Sequence, residues 1–427
     1  LYRYRRLKAA RAAATNEGLA GAMFPWQSGS QGREETQVVH LNPRSGNWDP
    51  DHSHLQRHVN AAIARNVWQY VEQSGDQSFM ESYGAEMLVE IAKFWSSLSS
   101  WNDDQQRFDI AGVMGPDEFH EAYPDAEEGG LRNNTYTNVM AVWCLRKARA
   151  GLQMLPEQVR ESLLDRLAVD QEELNRWERV ASSMALPVRD DGILEPFDGY
   201  DALDELDWAG YREKYGDIAR LDRILKAEGD SPDHYKLSKQ ADLCMLFYFL
   251  SRAELDDILG GLGYEMSDAR AAETISYYRQ RTSHGSTMSH LVHGAILLAH
   301  EPKTAWDHYV HALRSDVEDT QGGTTPEGIH TAVMAGTVQY VVEWAAGARM
   351  QGEALRILPH LPDALQSIRF VHRVRGVPLQ VAVDRSSICV SSPRGARAPI
   401  PVVLGEETVE VFPGETVRAS LQGRSSV

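Results

Sequence analysis

The sequence predicts a mainly α-helical domain over residues 1–351, followed by a small β-sandwich domain over residues 352–427. Between residues 54 and 349, apolar side chains recur with the 3.6-residue period of helices. After about residue 352, apolar residues alternate with polar ones in short β-branched segments that turn residues separate. Four long loops rich in polar, glycine and aromatic residues interrupt the helices, and loops of this kind often carry function.

The helical part begins with LYRYRRLKAARAAATNEG, which has the pattern of a helix already in progress and no initiator Met. We therefore expect an N-terminally incomplete piece of a longer protein. In 54–74, apolar residues at Leu55, Val59, Ile63 and Val67 follow one helical face. The other predicted helices span 78–97, 134–151, 156–185, 238–250, 252–261, 268–280, 285–300, 303–315 and 330–349.

The C-terminal part contains six segments with the alternation of strands. They follow LPHLPDAL and read IRFVHRV, LQVAVD, SICVSS, PVVLG, TVEVFP and TVRASLQ. Short alternating strands with turn residues between them are typical of a sandwich.

Composition limits the partners that the chain can have. Its net charge of -18 argues against nucleic acid and anionic membranes, because both require a basic face. Cys144, Cys244 and Cys389 show neither a disulfide pattern nor metal-ligand spacing, which favours a reducing, cytoplasmic compartment. The sequence has no evident signal peptide and no apolar run long enough for a transmembrane helix.

The stretch GPDEFHE offers a candidate general acid. Gly115 and Pro116 form a turn, so Glu118 is presented from a loop. The like charge of Asp117 and the apolar Phe119 are expected to raise the pKa of Glu118, as a proton donor near neutral pH requires. Asp117 or Glu118 could instead cap a helix or be solvated.

The stretch RTSHGSTMSH precedes an apolar helix, and two interpretations of it stay open. Its Ser and Thr residues could be an ordinary helix N-cap. Gly285, with the hydroxyls of Ser286 and Thr287 and the nearby His284, could instead form a phosphate site at the helix N-terminus.

Two further loops contain groups suited to a sugar. In LSKQAD, Lys239 and Gln240 stand at the start of a predicted apolar helix and could bind hydroxyls or phosphate, or lie on a solvated face. In FPWQSGSQGREET, Trp26 offers a flat surface for a pyranose ring and Gln27 a hydroxyl partner, although Trp26 could equally be a core residue.

Taken in order, these stretches resemble glycoside hydrolase family 65, the trehalose, maltose and kojibiose phosphorylases. The resemblance rests on FPWQSGSQGREET, GVMGPDEFHE with NNTYTN, LSKQAD, RTSHGSTMSH and GGTTPEGIH, and spans about residues 20–350. It implies an (α/α)6 barrel, here N-terminally incomplete, and a small C-terminal β domain. It also implies inverting phosphorolysis of an α-glucosyl disaccharide to β-glucose 1-phosphate and an acceptor sugar.

The family's functional residues carry over to matching positions in this sequence. The resemblance implies that Glu118 is the general acid, that Lys239 and Gln240 contact glucose, and that His284, Gly285 and Ser286 bind phosphate, with Thr287 as an additional donor. It also implies that Trp26 and Gln27 line the sugar site, near Gly328 and His330. The implied partners are a disaccharide and inorganic phosphate as co-substrate, with no metal or organic cofactor and with a homodimer left open.

Two departures from the family pattern fall where the acceptor sugar would be recognised. Arg132 precedes Asn133 and Asn134 where the family often has Asp, and the run HLNPRSGNWDPDHSHLQRHVN differs from the maltose phosphorylase pattern. The alternatives are a hydrolase of the same family, similar to acid trehalases, and a non-catalytic helical toroid that binds sugar.

Overall fold

A computed structural model describes residues 1–320, 325–405 and 407–421. The chain forms two compact units, one of residues 1–68 and 78–286 and the other of residues 69–77 and 287–427. The predicted domain boundary between residues 351 and 352 stays a prediction.

The first unit consists mainly of helices. Its α-helices, of which the second continues into the other unit, are Leu7–Asn16, Val59–Ser74, Ala85–Leu98, Thr135–Gln153, Glu157–Arg166, Gln171–Ser183, Trp208–Tyr215, Leu221–Glu228, Met245–Phe249, Arg252–Gly261 and Asp268–Arg279. A short helix Gln77–Phe79 and a π-helical turn Met80–Gly84 precede Ala85–Leu98. Two hairpins join Val39–Leu41 to Trp48–Pro50 and Ser100–Asn102 to Arg107–Asp109.

Polar side chains determine where several of these helices begin. Asn134 accepts a hydrogen bond from the Thr137 amide at 2.9 Å, and Asp170 accepts one from the Glu173 amide at 2.8 Å. Each bond satisfies an amide that has no partner within its own helix. The single helix predicted over 156–185 is wrong, because Ala168 adopts a positive φ of 49° and Asp170 caps a second helix.

The core of the first unit lies between long helices. Ala85–Leu98 packs against Thr135–Gln153, which also packs against Gln171–Ser183. Trp95 and Trp177 are completely buried there. Helices covered on more than one side are apolar around much of their circumference, as the sequence pattern of this region indicated.

The segment that carries LSKQAD differs from the prediction. The helix predicted over 238–250 is confined to Met245–Phe249, and residues 238–244 form a loop. The helices Trp208–Tyr215 and Leu221–Glu228, for which the sequence analysis made no prediction, precede this loop. Because the motif lies in a loop, its side chains do not follow the regular spacing of a helix.

The second unit combines helices with two four-stranded sheets. Its helices are Thr287–Leu297, Pro302–Arg314 and Thr331–Gln339, the last of which continues as a π-helical segment Tyr340–Ala345. In strand order, one sheet contains Glu407–Val411, Ile400–Leu404, Ala354–Ile357 and Ala348–Gln351, and the other Thr416–Ser420, Ser387–Ser391, Val377–Asp384 and Ser367–Val374. All neighbours are antiparallel except Ile400–Leu404 and Ala354–Ile357, which are parallel.

The strands confirm the β character predicted for the C-terminal part. Burial alternates along Val377–Asp384 and Ile400–Leu404, as expected for strands with one face turned to a core. The strands Ala348–Gln351 and Ala354–Ile357 were missed because both precede LPHLPDAL, after which the strands were predicted. Among the described residues, no helix is both long and apolar enough to cross a membrane.

Candidate active site

The GPDEFHE loop rests on a buried polar support. A side chain at Gly115 would collide with the carboxylate of Asp242 and the amide of Asn134, so the position requires glycine. The Asn134 amide lies 3.2 Å from both Asp242 oxygens, and the Asp117 amide lies 3.4 Å from Oδ2 of Asp242. The cap of helix Thr135–Gln153 therefore also positions the loop that presents Glu118.

Asp117 and His120 form a buried ion pair within this loop. Asp117 Oδ2 accepts a hydrogen bond from His120 Nδ1 at 2.6 Å, and Nε2 donates to the Tyr235 carbonyl at 2.9 Å. Burial lowers the pKa of His120, but the charge and hydrogen bond of Asp117 outweigh burial and raise it to about 9. Asp117 is thus engaged with His120.

Glu118 combines a strained backbone conformation with a partly accessible side chain. Its φ is 61°, in the left-handed region that residues other than glycine seldom adopt. About 25% of its side-chain surface remains accessible. Residues in such conformations persist only where the surrounding packing holds them in place. They are concentrated at functional sites.

The expected raised pKa of Glu118 is wrong. Lys239 Nζ lies 2.6 Å from Oε2 of Glu118. Burial raises the pKa of Glu118, but the charge and hydrogen bond of Lys239 outweigh burial and lower it. The neighbours in sequence have other contacts, since Asp117 pairs with His120 and Phe119 packs in a buried apolar cluster.

Two residues that the sequence analysis missed lie beside the Glu118 carboxyl. Gln56 is buried, and its Oε1 has no hydrogen-bond partner within the described residues. Burial lowers the pKa of His58 to about 4, so its imidazole is neutral at pH 7. The ring of His58 packs edge-on against Trp26, with ring centres 5.2 Å apart. The sequence signal that could have identified Gln56 and His58 is their position just before helix Val59–Ser74.

The RTSHGS stretch lies against the LSKQAD loop. The Ser283 amide donates to the Ser238 carbonyl at 2.8 Å, and the Gly285 amide donates to the Lys239 carbonyl at 2.9 Å. A side chain at Gly285 would collide with the carbonyl oxygen of Ala219. His284, between them, has a positive φ of 58°. The candidate phosphate loop is therefore held by the same residue that contacts Glu118.

The structure thus brings several of the predicted residues together. Gln240 donates from Nε2 to the Pro116 carbonyl at 2.7 Å, and its buried Oε1 has no hydrogen-bond partner within the described residues. Trp26 reaches this group through His58, whereas the Gln27 side chain is exposed. The amides of Trp26 and Gln27 both donate to Glu34, which shapes their loop.

Other predicted residues belong to the second unit. Thr287 is the first residue of helix Thr287–Leu297. His330 donates from its amide and from Nδ1 to Asp316, at 2.8 and 2.6 Å. Residues 322–324, the start of GGTTPEGIH, lie outside the described residues. The roles predicted for Thr287 and His330 stay predictions.

Comparison with known proteins places these features in a family. The sequence profile of the glycosyl hydrolase family 65 central catalytic domain matches residues 1–339, and that of the family's C-terminal domain matches residues 348–411. The match confirms the resemblance seen in the motifs.

Curated relatives include proteins of known and unknown activity. An uncharacterised glycosyl hydrolase of Mycobacterium tuberculosis is 45% identical over 94% of this chain and 30% of its own length. Trehalose 6-phosphate phosphorylase of Lactococcus lactis is 38% identical over 92% of this chain and 49% of its own length. Kojibiose phosphorylase of Halothermothrix orenii is 30% identical over 91% of this chain and 48% of its own length. The chain therefore spans between 30% and 49% of the length of these relatives.

A solved structure from the human microbiome, assigned as a kojibiose phosphorylase, resembles the chain with a TM-score of 0.78. It is 22% identical, and the likeness covers 99% of this chain and 56% of that one. With the family match, it confirms the predicted fold class, a mainly helical domain of the (α/α)6 type followed by a small β domain.

Proposed function

Because the chain belongs to glycosyl hydrolase family 65, we propose that it uses inorganic phosphate to cleave an α-glucosyl disaccharide. The products are β-glucose 1-phosphate and a free acceptor sugar, and the substrate is of the trehalose, maltose or kojibiose type. One observation supports this proposal most strongly. Lys239 contacts Glu118 through its ammonium at 2.6 Å and Gly285 through its carbonyl at 2.9 Å.

The proposed reaction needs a proton donor on one side of the glucosyl group and phosphate on the other. Glu118 protonates the departing glycosidic oxygen while a phosphate oxygen attacks the anomeric carbon from the opposite face. Phosphate arrives as an anion and requires positioning, so no second carboxylate has to activate it. The hydrogen phosphate loses its proton as it becomes the sugar phosphate dianion, which balances the proton given to the acceptor. We propose no metal or organic cofactor for this step.

The group around Glu118 is suited to holding a neutral sugar. Gln56 and Gln240 present buried amide groups whose hydrogen-bonding capacity the described chain does not use completely. Buried polar groups of this kind favour a ligand with hydroxyls, because leaving them unpaired costs free energy. The ring of Trp26 can pack against a pyranose face.

The experiment is an acceptor screen in the synthetic direction. The chain is mixed with β-glucose 1-phosphate and one acceptor at a time, including glucose and glucose 6-phosphate, and released phosphate is measured. We expect release with at least one acceptor and an α-linked product by NMR. Glu118→Gln should slow phosphate release by orders of magnitude. Glu128→Gln, which changes an exposed carboxylate of the same loop, should leave the rate unchanged.

Two results would contradict the proposal in different ways. Disaccharide cleavage that proceeds at the same rate without phosphate would identify a hydrolase of the same family. Sugar binding without turnover of any disaccharide, unchanged in Glu118→Gln, would identify a binding protein.

A further inference from the structure

We propose that Lys239 controls the protonation of Glu118, so that the acid acquires its proton only when a glucosyl group enters the site and engages the Lys239 ammonium. Lys239 is thereby a positioning residue for the proton as well as a sugar contact. The inference rests on the proposed function, because it concerns the same acid.

In the free chain, Glu118 is held as a carboxylate, which cannot donate a proton. An ammonium 2.6 Å from Oε2 of Glu118 stabilises the carboxylate, whereas a general acid must carry a proton. Burial favours the protonated form, and the charge of Lys239 opposes it and dominates. The ion pair must therefore open before Glu118 can protonate a glycosidic oxygen.

The side chain of Lys239 can move away from Glu118 while its backbone stays in place. Its carbonyl is fixed by the Gly285 amide at 2.9 Å, but the four-carbon stem has rotatable bonds and 19% of its side chain is accessible. The ammonium also lies within the field of Asp222. Arg220 donates hydrogen bonds to both carboxylate oxygens of Asp222, at 2.9 and 2.6 Å. Asp222 therefore attracts the Lys239 ammonium, but Glu118 remains the carboxylate that the ammonium contacts. Sugar hydroxyls can accept the released hydrogen bonds.

The other described groups around Glu118 do not restore the positive charge. His58 is neutral at pH 7 because burial lowers its pKa, and Gln56 is an uncharged amide. The charged His120 is paired with Asp117, and burial together with the charge of Asp117 raises the pKa of Asp242. Once Lys239 turns to a sugar, burial is the main remaining influence on Glu118, and it favours uptake of a proton from solvent.

The proton then follows a closed path. Solvent supplies one proton to the Glu118 carboxylate, and the acid passes it to the oxygen of the departing acceptor. The attacking hydrogen phosphate returns one proton to solvent as it forms the ester dianion. Glu118 is left as a carboxylate, and Lys239 pairs with it again when product leaves.

Isothermal titration calorimetry tests the uptake directly. D-glucose is titrated into the chain at pH 7 in PIPES and in Tris, whose ionisation enthalpies differ, and the difference in heat gives the protons bound per glucose. We expect wild type to approach about one proton per glucose bound, because binding shifts the equilibrium of one carboxyl group. Glu118→Gln should show none.

Two lysine variants distinguish the specific effect of Lys239 from the effect of removing any positive charge nearby. Lys239→Met should lose the uptake, because its Glu118 already carries a proton in the free chain. Lys236→Met is the matched control, since Lys236 lies three residues away and pairs with Asp201 at 3.5 Å. It should keep the uptake of wild type.

Glucose binding without proton uptake, uptake that persists in Glu118→Gln, or no glucose binding would each overturn the inference. The comparison of wild type with Glu118→Gln decides the question even if Lys239→Met does not fold. Phosphate-dependent turnover without proton uptake would refute this inference alone. Proton uptake in a chain that turns over no disaccharide would refute the proposed function alone.

Discussion

Replacement of Asp117 by Asn removes the charge that stabilises the buried imidazolium of His120. The two side chains meet at 2.6 Å, and His120 is 1% exposed, so water cannot replace the lost carboxylate. Asn keeps the size of the side chain and an oxygen that can accept the hydrogen bond. The substitution therefore isolates the electrostatic part of the interaction.

The structure gives both the size and the pH window of the effect. The pKa of His120 rises from an ordinary 6.5 to about 9, which corresponds to about 3 kcal/mol of folding free energy. Because the folded pKa is the higher one, this stability is complete below pH 6.5 and is lost as pH rises through 9. We expect Asp117→Asn to be about 3 kcal/mol less stable than wild type at pH 6, with a much smaller difference at pH 10.

Urea unfolding followed by tryptophan fluorescence at pH 6, 8 and 10 measures this difference. Asp230→Asn is a matched control, because Asp230 also meets a histidine, His234, at 2.6 Å, but at a site where both side chains are about 30% exposed. Its effect should be much smaller, since solvent screens the pair. An equal loss in both variants, or a loss in Asp117→Asn that does not change with pH, would refute the reasoning.

Three further predictions follow from the site and the core. Glu118→Gln should lower kcat by about 10²- to 10⁴-fold in a phosphate-release assay while far-UV circular dichroism stays unchanged; a near-normal rate would exclude it as the acid. Gly285→Ala should raise the KM for phosphate by roughly tenfold, equivalent to about 1.4 kcal/mol, because a side chain there collides with the Ala219 carbonyl; a KM change for the disaccharide alone would contradict a phosphate role. Trp177→Ala should lower the free energy of unfolding in urea by about 3–5 kcal/mol, since the side chain is completely buried; a loss below about 1 kcal/mol would contradict this core assignment.

The helices and strands were predictable wherever burial imposed a regular period. The pattern over 252–261 and 268–280 corresponds to helices Arg252–Gly261 and Asp268–Arg279 within one residue. The prediction failed over 156–185, where the apolar pattern continues through a turn. The local signal there was Asp170 followed by Glu173, an arrangement that starts a helix and that periodicity alone cannot show.

The candidate site was predictable as a set of loops, but its electrostatics were not. Sequence neighbours suggested that Asp117 and Phe119 would raise the pKa of Glu118, whereas both side chains have contacts elsewhere. The group that determines the charge, Lys239, is 121 residues away in the chain. A spacing pattern identifies residue types suited to a reaction, and only the folded chain shows which of them meet.

Lys239 contributes to the site with its main chain as well as its side chain. Any amino acid at position 239 would present a carbonyl to the Gly285 amide, whereas the ammonium depends on lysine itself. Substitution there can therefore remove the ammonium from Glu118 and keep the backbone contact with Gly285. The electrostatic contact with Glu118 and the backbone contact with Gly285 are therefore separable by one substitution at position 239.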